Sequence, residues 1–336
     1  MKIKMMLSAV ILATPMLTIA KPSIDIEQHE RIVVTGTRTA KLLSDSPVLV
    51  DVIDGDTIAK ISHGTLAQAL NYIPGVVVKR SVKDGYNIQM QGFDGDHVLI
   101  LIDGQPVISP TGSSADLDQI PASNIAQIEV IRGAASVMYG SSAMGGVINI
   151  ITHKTDGAAL KLDYDVSQYQ DNTIGNGDLN HTVKIHAVDS FSGWRTQLNA
   201  LIIDDNGYDY DNATVSQDAA SVEKKFITLT TSKAHEDVAT SFKYQWLTDK
   251  KLRDSSAIPG QNDVIYYQTD VDQQQVELSL KSTNNPKAPW QFNARYINHQ
   301  ETSGQSNSLR DTNIVLSEIN GQKVFQFNNI ELVTGG

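Results

Sequence analysis

Three stretches of this 336-residue chain put side chains with chemical capability close together. The first is Asp204-Asp205-Asn206-Gly207-Tyr208-Asp209-Tyr210-Asp211, whose carboxylates are the hard oxygen donors that Ca²⁺ takes. Its spacing does not match an EF-hand, and a solvated acidic loop is the alternative. The second runs from Gly133 through Gly140 to Gly145 and Gly146. Such glycines suit bends and close backbone approach, and a phosphate-cradling loop is the competing use. The run lacks the Gly-Lys-Ser/Thr ending that phosphate loops carry. The third, Gly140-Ser141-Ser142-Ala143-Met144, places a serine at a bend but lacks the last glycine of a nucleophile elbow. The eight histidines are scattered, without an evident ligand pair. No cysteine is present, which excludes disulfides, thiolate chemistry and Cys-based metal sites. Isolated Ser, His and Asp residues do not make an enzyme. A net charge of −11 argues against a nucleic-acid partner.

The elements that would carry these groups are of two kinds. Lys2 and Lys4 precede an uncharged apolar stretch from Met5 to Ile19, broken by Pro15, and Thr18 and Ala20 are small residues suited to a cleavage site. That is the layout of a secretory signal peptide over residues 1–20. The stretch is shorter than the ~20 residues a spanning helix needs, and no later segment is apolar enough for one. An exported chain of this kind is either soluble or a β-barrel. Residues 21–36 are polar, then β-branched from Ile32 to Thr35. Residues 37–154 predict a small mixed α/β unit. Asp56 caps a helical turn, and Leu66, Leu70 and Ile73 share one helical face before Pro74-Gly75 stops it. Val98–Ile102 is an apolar strand turned by Asp103-Gly104, and Ile128–Ile131 and Val147–Thr152 are two more.

From residue 155 the period changes to two. Leu160, Leu162, Tyr164 and Val166 alternate with Lys161, Asp163, Asp165 and Ser167, and Phe242, Tyr244 and Trp246 alternate with Ser241, Lys243 and Gln245. About eight such strands run to residue 336, each with one apolar and one polar face. Short links near 189–193, 233–238 and 283–289 alternate with long ones at 169–181, 203–224, 247–275 and 297–323. A transmembrane barrel segregates its loops by end in this way. A soluble β-sandwich would also alternate polarity but has no need to sort its loops.

Four motifs occur in a fixed order: ERIVVTGTR from Glu30, ALNYIPGVVV from Ala69, VLILIDGQPV from Val98, and IEVIRGAASVMYGSSAMGGVINIIT from Ile128. Together they resemble the TonB-dependent outer-membrane receptors, closest in style to siderophore and cobalamin receptors. The resemblance implies an α+β plug domain inside an antiparallel transmembrane β-barrel of 22 strands. It divides the chain into a signal peptide (1–20), a periplasmic segment with the TonB box (21–36), the plug (37–154) and the N-terminal part of the barrel (155–336). Because the chain closes on Thr334-Gly335-Gly336 after about eight strands, the expectation is a truncated product or a fragment.

The same resemblance implies roles for named residues. Glu30, Arg31, Ile32, Val33, Val34 and Thr35 form the TonB box, a strand added to a partner's sheet edge; an ordinary first plug strand is the alternative. Glu129 and Arg132 would lock the plug to an acidic barrel wall. The family's frequent Arg-Gly before the central strand is Gln91-Gly92 here, so the implied lock is either weaker or rests more on Arg132. Ser81, Lys83, Tyr86, Ser109, Thr111 and Ser113 are ligand-contact candidates at the plug tips. Asp204, Asp205, Asp209 and Asp211 would bind Ca²⁺ as in cobalamin receptors; no other cofactor is implied. The implied partners are TonB with its inner-membrane energising complex, outer-membrane lipid, and a metal chelate, a ferric siderophore first and cobalamin second. The implied place is the outer membrane of a Gram-negative bacterium. A plug-type periplasmic binding module that does not transport is the contrasting reading.

Overall fold

The computed structural model describes residues 32–33, 41–46, 48–61, 65–81, 85–108, 115–122, 124–133, 139–153, 157–170, 178–211, 213–257, 264–284, 289–327 and 330–336. The signal segment, Glu30, Arg31, Val34 and Thr35 of the TonB segment, and the tip residues Lys83, Ser109, Thr111 and Ser113 lie outside the described residues.

In the plug, β1 (Ile32–Val33) pairs antiparallel with β2 (Lys41–Leu42). Strand β3 (Val50–Asp54) runs into α1 (Gly55–Ile61), and the cap is Asp54, whose Oδ1 accepts from Thr57 N at 2.8 Å. The sequence reading put the cap at Asp56, which lies within the first turn. A capping side chain must reach back to the third helical N–H from an extended residue, and Asp54 has that position. Helix α2 (Leu66–Leu70) follows, then a hairpin of β4 (Val76–Arg80) and β5 (Tyr86–Met90), joined by the short β6 (Phe93–Asp94). Strands β7 (Val98–Ile102), β8 (Gln105–Pro106), β9 (Ile125–Arg132) and β10 (Gly146–Thr152) complete a five-stranded sheet in the order β3-β9-β10-β7-β8. Strands β7 and β10 are parallel and the other pairs antiparallel. The central strands read as unbroken apolar runs because both faces are covered. Ile128, Val130, Ile148 and Ile150 pack with Leu66, Leu70 and Leu117 on one side. Leu101, Ile131 and Val147 pack with Val33 and Val50 on the other.

The second unit is one nine-stranded antiparallel sheet in sequence order. Its strands are β11 (Ala159–Ser167), β12 (Asn180–Phe191), β13 (Trp194–Asp205), β14 (Ser221–Ala234), β15 (Val238–Ala257), β16 (Val264–Ser282), β17 (Trp290–Gln305), β18 (Ser308–Phe327) and β19 (Ile330–Gly335). Its two faces are opposite in chemistry. Phe242, Leu278, Ala294 and Ile319 stand side by side across β15–β18. Of these, Phe242, Leu278 and Ile319 are exposed. One residue along, Lys243, Glu277, Arg295 and Glu318 form a row of alternating charge on the other face. Lys243 Nζ lies 2.9 Å from Glu277 Oε2, and Arg295 Nη2 lies 2.6 Å from Glu318 Oε2. Exposed apolar groups outside and covered charges inside invert the usual polarity of a soluble sheet, and suit lipid outside. Among the described residues no helix is long and apolar enough to cross a membrane.

Two of the expected long loops are mostly strand. Residues 247–257 and 264–275 extend β15 and β16, and 297–323 forms most of β17 and β18, joined by a tight turn between Gln305 and Ser308. Strands β15 and β18 each have 20 residues, whereas about 9–11 cross a bilayer. In the remainder both faces are largely polar and the alternation fades. The sheet still has distinguishable ends. The plug's Arg80 meets the link between β13 and β14 at one end, with Nη1 donating to Asp218 O at 2.6 Å. Its Asn124 and His153 O receive Gln197 Nε2 at 3.4 Å near the other end, close to the tight Phe191–Trp194 turn.

Candidate functional site

The plug meets the wall at a buried cluster of five charges. Asp116 caps a 3₁₀ turn (Leu117–Gln119), its side chain accepting from Asp118 N at 3.0 Å, so both carboxylates leave the plug together. Opposite them, the lumen-facing positions supply Lys224 from β14, and Asp249 and Lys251 from β15. Lys251 Nζ lies 3.2 Å from Asp116 Oδ2, 3.5 Å from Asp118 Oδ2 and 3.4 Å from Asp249 Oδ2. Lys224 Nζ lies 3.8 Å from Asp118 Oδ2 and 3.6 Å from Asp249 Oδ1, and donates to Asp118 O at 2.6 Å. The Lys251 and Asp249 side chains are 1% and 0% exposed. Taking such ions from water costs several kcal/mol each, so the cluster holds only because every charge has opposite neighbours. Burial alone would raise the pKa of Asp118. Lys224, Lys251 and the Thr65 hydroxyl, which donates to Asp118 Oδ1 at 2.9 Å, hold it below the usual carboxylate range instead.

Asp116 also ties this cluster to the plug's β4–β5 hairpin, since its Oδ1 accepts from Tyr86 N at 2.9 Å. Gly85 makes the approach possible: a Cβ there would lie 2.1 Å from Asp116 Oδ2. Farther round the wall, Arg295 Nη1 donates to Pro106 O at 2.5 Å and Asn320 Nδ2 to Gln105 Oε1 at 3.5 Å. The wall therefore reads the plug through backbone carbonyls as well as charges.

The residues singled out from sequence are distributed differently. Arg132 Nη2 pairs with Asp51 Oδ2 at 2.9 Å, a neighbour within the plug's own sheet, and not with a carboxylate of the described wall strands. Glu129 is fully buried and accepts from Gln127 Nε2 at 2.8 Å, also inside the plug. The described plug–wall lock thus has the reverse polarity, plug acids against wall lysines. Gln91 is exposed in the β5–β6 turn. Ser81 closes the hairpin, its N donating to Gly85 O at 2.8 Å, and Tyr86 stands half-exposed beside it. Of the TonB segment, Ile32 and Val33 are docked: Val33 is 1% exposed, and Gln127 Nε2 donates to Ile32 O at 3.0 Å.

The four acidic-loop aspartates do not converge on a metal-sized centre. Asp205 accepts from Tyr169 OH at 2.9 Å and from Gly207 N at 2.8 Å, Asp209 accepts from Asp211 N at 3.0 Å, and Asp211 accepts from Ala213 N at 2.9 Å. Asp204 is exposed on the last turn of the strand ladder, and side chains of consecutive strand residues point to opposite faces. Among the described residues no group of three His, Cys, Asp or Glu side chains could hold a metal ion. Asp205, Asp209 and Asp211 shape the loop through these bonds.

A globular α+β domain held against the charged face of an antiparallel sheet, whose other face is apolar, is the arrangement of a plug seated on part of a transmembrane barrel wall. Residues 42–147 match the family model of the TonB-dependent Receptor Plug Domain, and the plug with the strands that follow shares the fold of solved receptors. The chain is 34% identical over 140 residues to the vitamin B12 transporter BtuB of Photobacterium profundum, a match covering 40% of this chain and 23% of that protein. It is 36% identical over 132 residues to an iron-regulated outer membrane virulence protein of Vibrio cholerae, covering 37% and 20%. Among solved structures, the unliganded ferric citrate transporter FecA superposes with a TM-score of 0.72 at 16% identity, covering 87% of this chain and 47% of that one. The siderophore receptor PirA of Acinetobacter baumannii does so with a TM-score of 0.69 at 18% identity, covering 85% and 47%. The chain thus spans under half the length of these solved receptors.

Proposed function

We propose that this chain supplies the plug and first wall strands of an energy-coupled outer-membrane receptor that imports a scarce, bulky nutrient as a metal chelate. The observation that carries the reading is the plug seated on the charged face of a sheet whose other face is apolar. Residues 1–20 direct export, residues 37–154 form the plug, and residues 155–336 enter the outer membrane. The nutrient is a ferric siderophore; cobalamin is the second reading, favoured by the 31–34% identity to vitamin B12 transporters. Coupling runs through Glu30–Thr35 to TonB and its inner-membrane energising complex. Because Val33 is buried against the plug, a partner strand has to displace the β1–β2 pairing before it binds. Ser81, Lys83, Tyr86, Ser109, Thr111 and Ser113 remain the ligand-contact candidates on the plug. The test is Val33→Pro in the full gene, which removes an N–H and restricts the preceding residue. Ligand binding at the cell surface should persist while uptake is lost; normal uptake in the variant would remove the coupling assignment.

A further inference from the structure

The outward, apolar face of the wall carries a polar interruption near one end. On β12, β13 and β14 the outward row Ala187, Leu198 and Leu229 is apolar. One step nearer the tight Phe191–Trp194 turn, the outward row is Asp189, Thr196 and Thr231. It stops at β15, where the partner of Thr231 is Phe242. On the turn side the face becomes aromatic: Phe191 is 85% exposed and Trp194 39%. A carboxylate and two hydroxyls thus lie in a polar strip between two apolar margins.

Alternate residues of a strand share a face, so Lys233 of β14 is outward as well. The turn positions its ammonium: Nζ donates to Ser192 O at 3.2 Å and stands 5.7 Å from the centre of the Trp194 ring. Thr196 Oγ1 and Thr231 Oγ1 bond to each other at 3.3 Å, and Asp189 Oδ1 accepts from Ser190 N at 2.7 Å. Among the described residues neither Asp189 nor Lys233 has an ion-pair partner. The other charges nearby are turned elsewhere. Arg195 has the opposite parity on β13 and faces the lumen. The β14–β15 turn carries His235, Glu236 and Asp237, but it leans on the β16–β17 link. There Asp237 Oδ1 accepts from Asn284 Nδ2 at 2.9 Å, and Glu236 O from Thr283 Oγ1 at 2.8 Å.

We propose that this strip is a headgroup site for phosphatidylethanolamine of the periplasmic leaflet, with the phosphate at Lys233 and the threonine hydroxyls and the ammonium at Asp189. The proposal rests on the reading of residues 155–336 as a membrane wall, whose short turns mark its periplasmic end. Polar and charged groups at the hydrocarbon boundary are costly unless paired. Here a cation and an anion each need an opposite charge, and a zwitterion supplies both in one molecule. A headgroup of net negative charge leaves Asp189 without a partner, and a quaternary ammonium cannot donate a hydrogen bond to it. The acyl chains lie along Leu198 and Leu229. The indole and the lysine stem close the strip on the water side, where such amphipathic side chains settle.

The experiment titrates the full-length receptor in mixed micelles with phosphatidylethanolamine, phosphatidylglycerol and phosphatidylcholine of identical acyl chains, and counts retained lipid by native mass spectrometry. Phosphatidylethanolamine should bind about tenfold more tightly than either of the others, the scale of one charge-assisted hydrogen bond. Asp189→Asn should abolish that preference. Lys233→Gln should weaken all three lipids, whereas Lys233→Arg should keep the unmutated pattern. Hydrogen exchange in the plug, which lies behind the opposite face, should stay unchanged in each variant; a shift there would mean that the variants act through the fold, and overturns the assignment. Equal retention of the three lipids, preference for phosphatidylglycerol, or an unchanged pattern in Asp189→Asn and Lys233→Gln overturns the headgroup site and leaves the receptor reading intact. A full-length protein that stays out of outer-membrane extracts sinks the wall reading itself.

Discussion

Replacing Lys251 by methionine keeps the stem that fills the plug–wall interface and removes the ammonium shared by three carboxylates. At the 3.2–3.5 Å separations observed, each contact is worth about 5 kcal/mol gross at an effective dielectric near ~20. Desolvation of the ammonium and repulsion from Lys224 offset most of that total. What remains on truncation is the penalty for uncompensated buried charge, about 3–5 kcal/mol. Strand β15 keeps its ladders to β14 and β16, so the loss falls on seating of the plug and not on the wall. In the full-length receptor in micelles, backbone hydrogen exchange across 115–120 reads that seating. A loss of about 3 kcal/mol corresponds to exchange faster by roughly 10²-fold. The double variant Lys251→Met with Asp249→Asn removes an acid with the base and should recover at least half of the effect. A change of less than about threefold in the single variant, below 1 kcal/mol, would refute the cluster as the seat of the plug. So would a double variant as loose as the sum of its parts.

Acid should act on the same place. Asp118 has a folded pKa below its unfolded value, so its contribution is fully present above about pH 4 and is lost as pH falls through the lowered value. The protection of plug amides, taken relative to the intrinsic exchange rate at each pH, should therefore hold above about pH 4 and fall only in stronger acid, with that fall missing in Asp118→Asn; a midpoint near neutrality would contradict this. Arg132→Ala removes a half-exposed pair with Asp51 and should cost only about 0–1 kcal/mol without loosening the plug. Loosening that matched Lys251→Met would support Arg132 as a lock residue, and chemical denaturation with the same exchange assay decides it.

The plug was legible in its strands because β7, β9 and β10 are covered on both faces and keep apolar residues at both parities. The cap slipped by two residues because Asp54 and Asp56 have the same chemistry, and only the backbone says which is extended. The wall was legible where lipid imposes alternation and illegible where long strands leave it, as in 247–257 and 297–323. The charge cluster was hidden for a different reason. Asp116 and Lys251 are 135 positions apart, and each alone looks like a solvated charge. A signal did exist: with Phe242, Tyr244 and Trp246 setting the apolar parity of β15, Asp249 and Lys251 fall on the lumen parity beside Lys243 and Gln245. The acidic loop shows the opposite relation: its aspartates are close in sequence, yet Asp205, Asp209 and Asp211 each bond to a different backbone N–H.

The paired rows across β15–β18 set a rule for how this wall can change. Phe242, Leu278, Ala294 and Ile319 stand one residue from Lys243, Glu277, Arg295 and Glu318, so sliding any strand by a single position exchanges a lipid-facing side chain for a charge. Each Lys or Arg at the bilayer midplane would cost about 2–4 kcal/mol. During assembly such a slip is rejected at every strand it reaches. Over evolutionary time the same arithmetic means that insertions and deletions within the lipid-spanning part of a strand survive in pairs. Single-residue length changes are confined to the links and to the strand ends beyond the membrane.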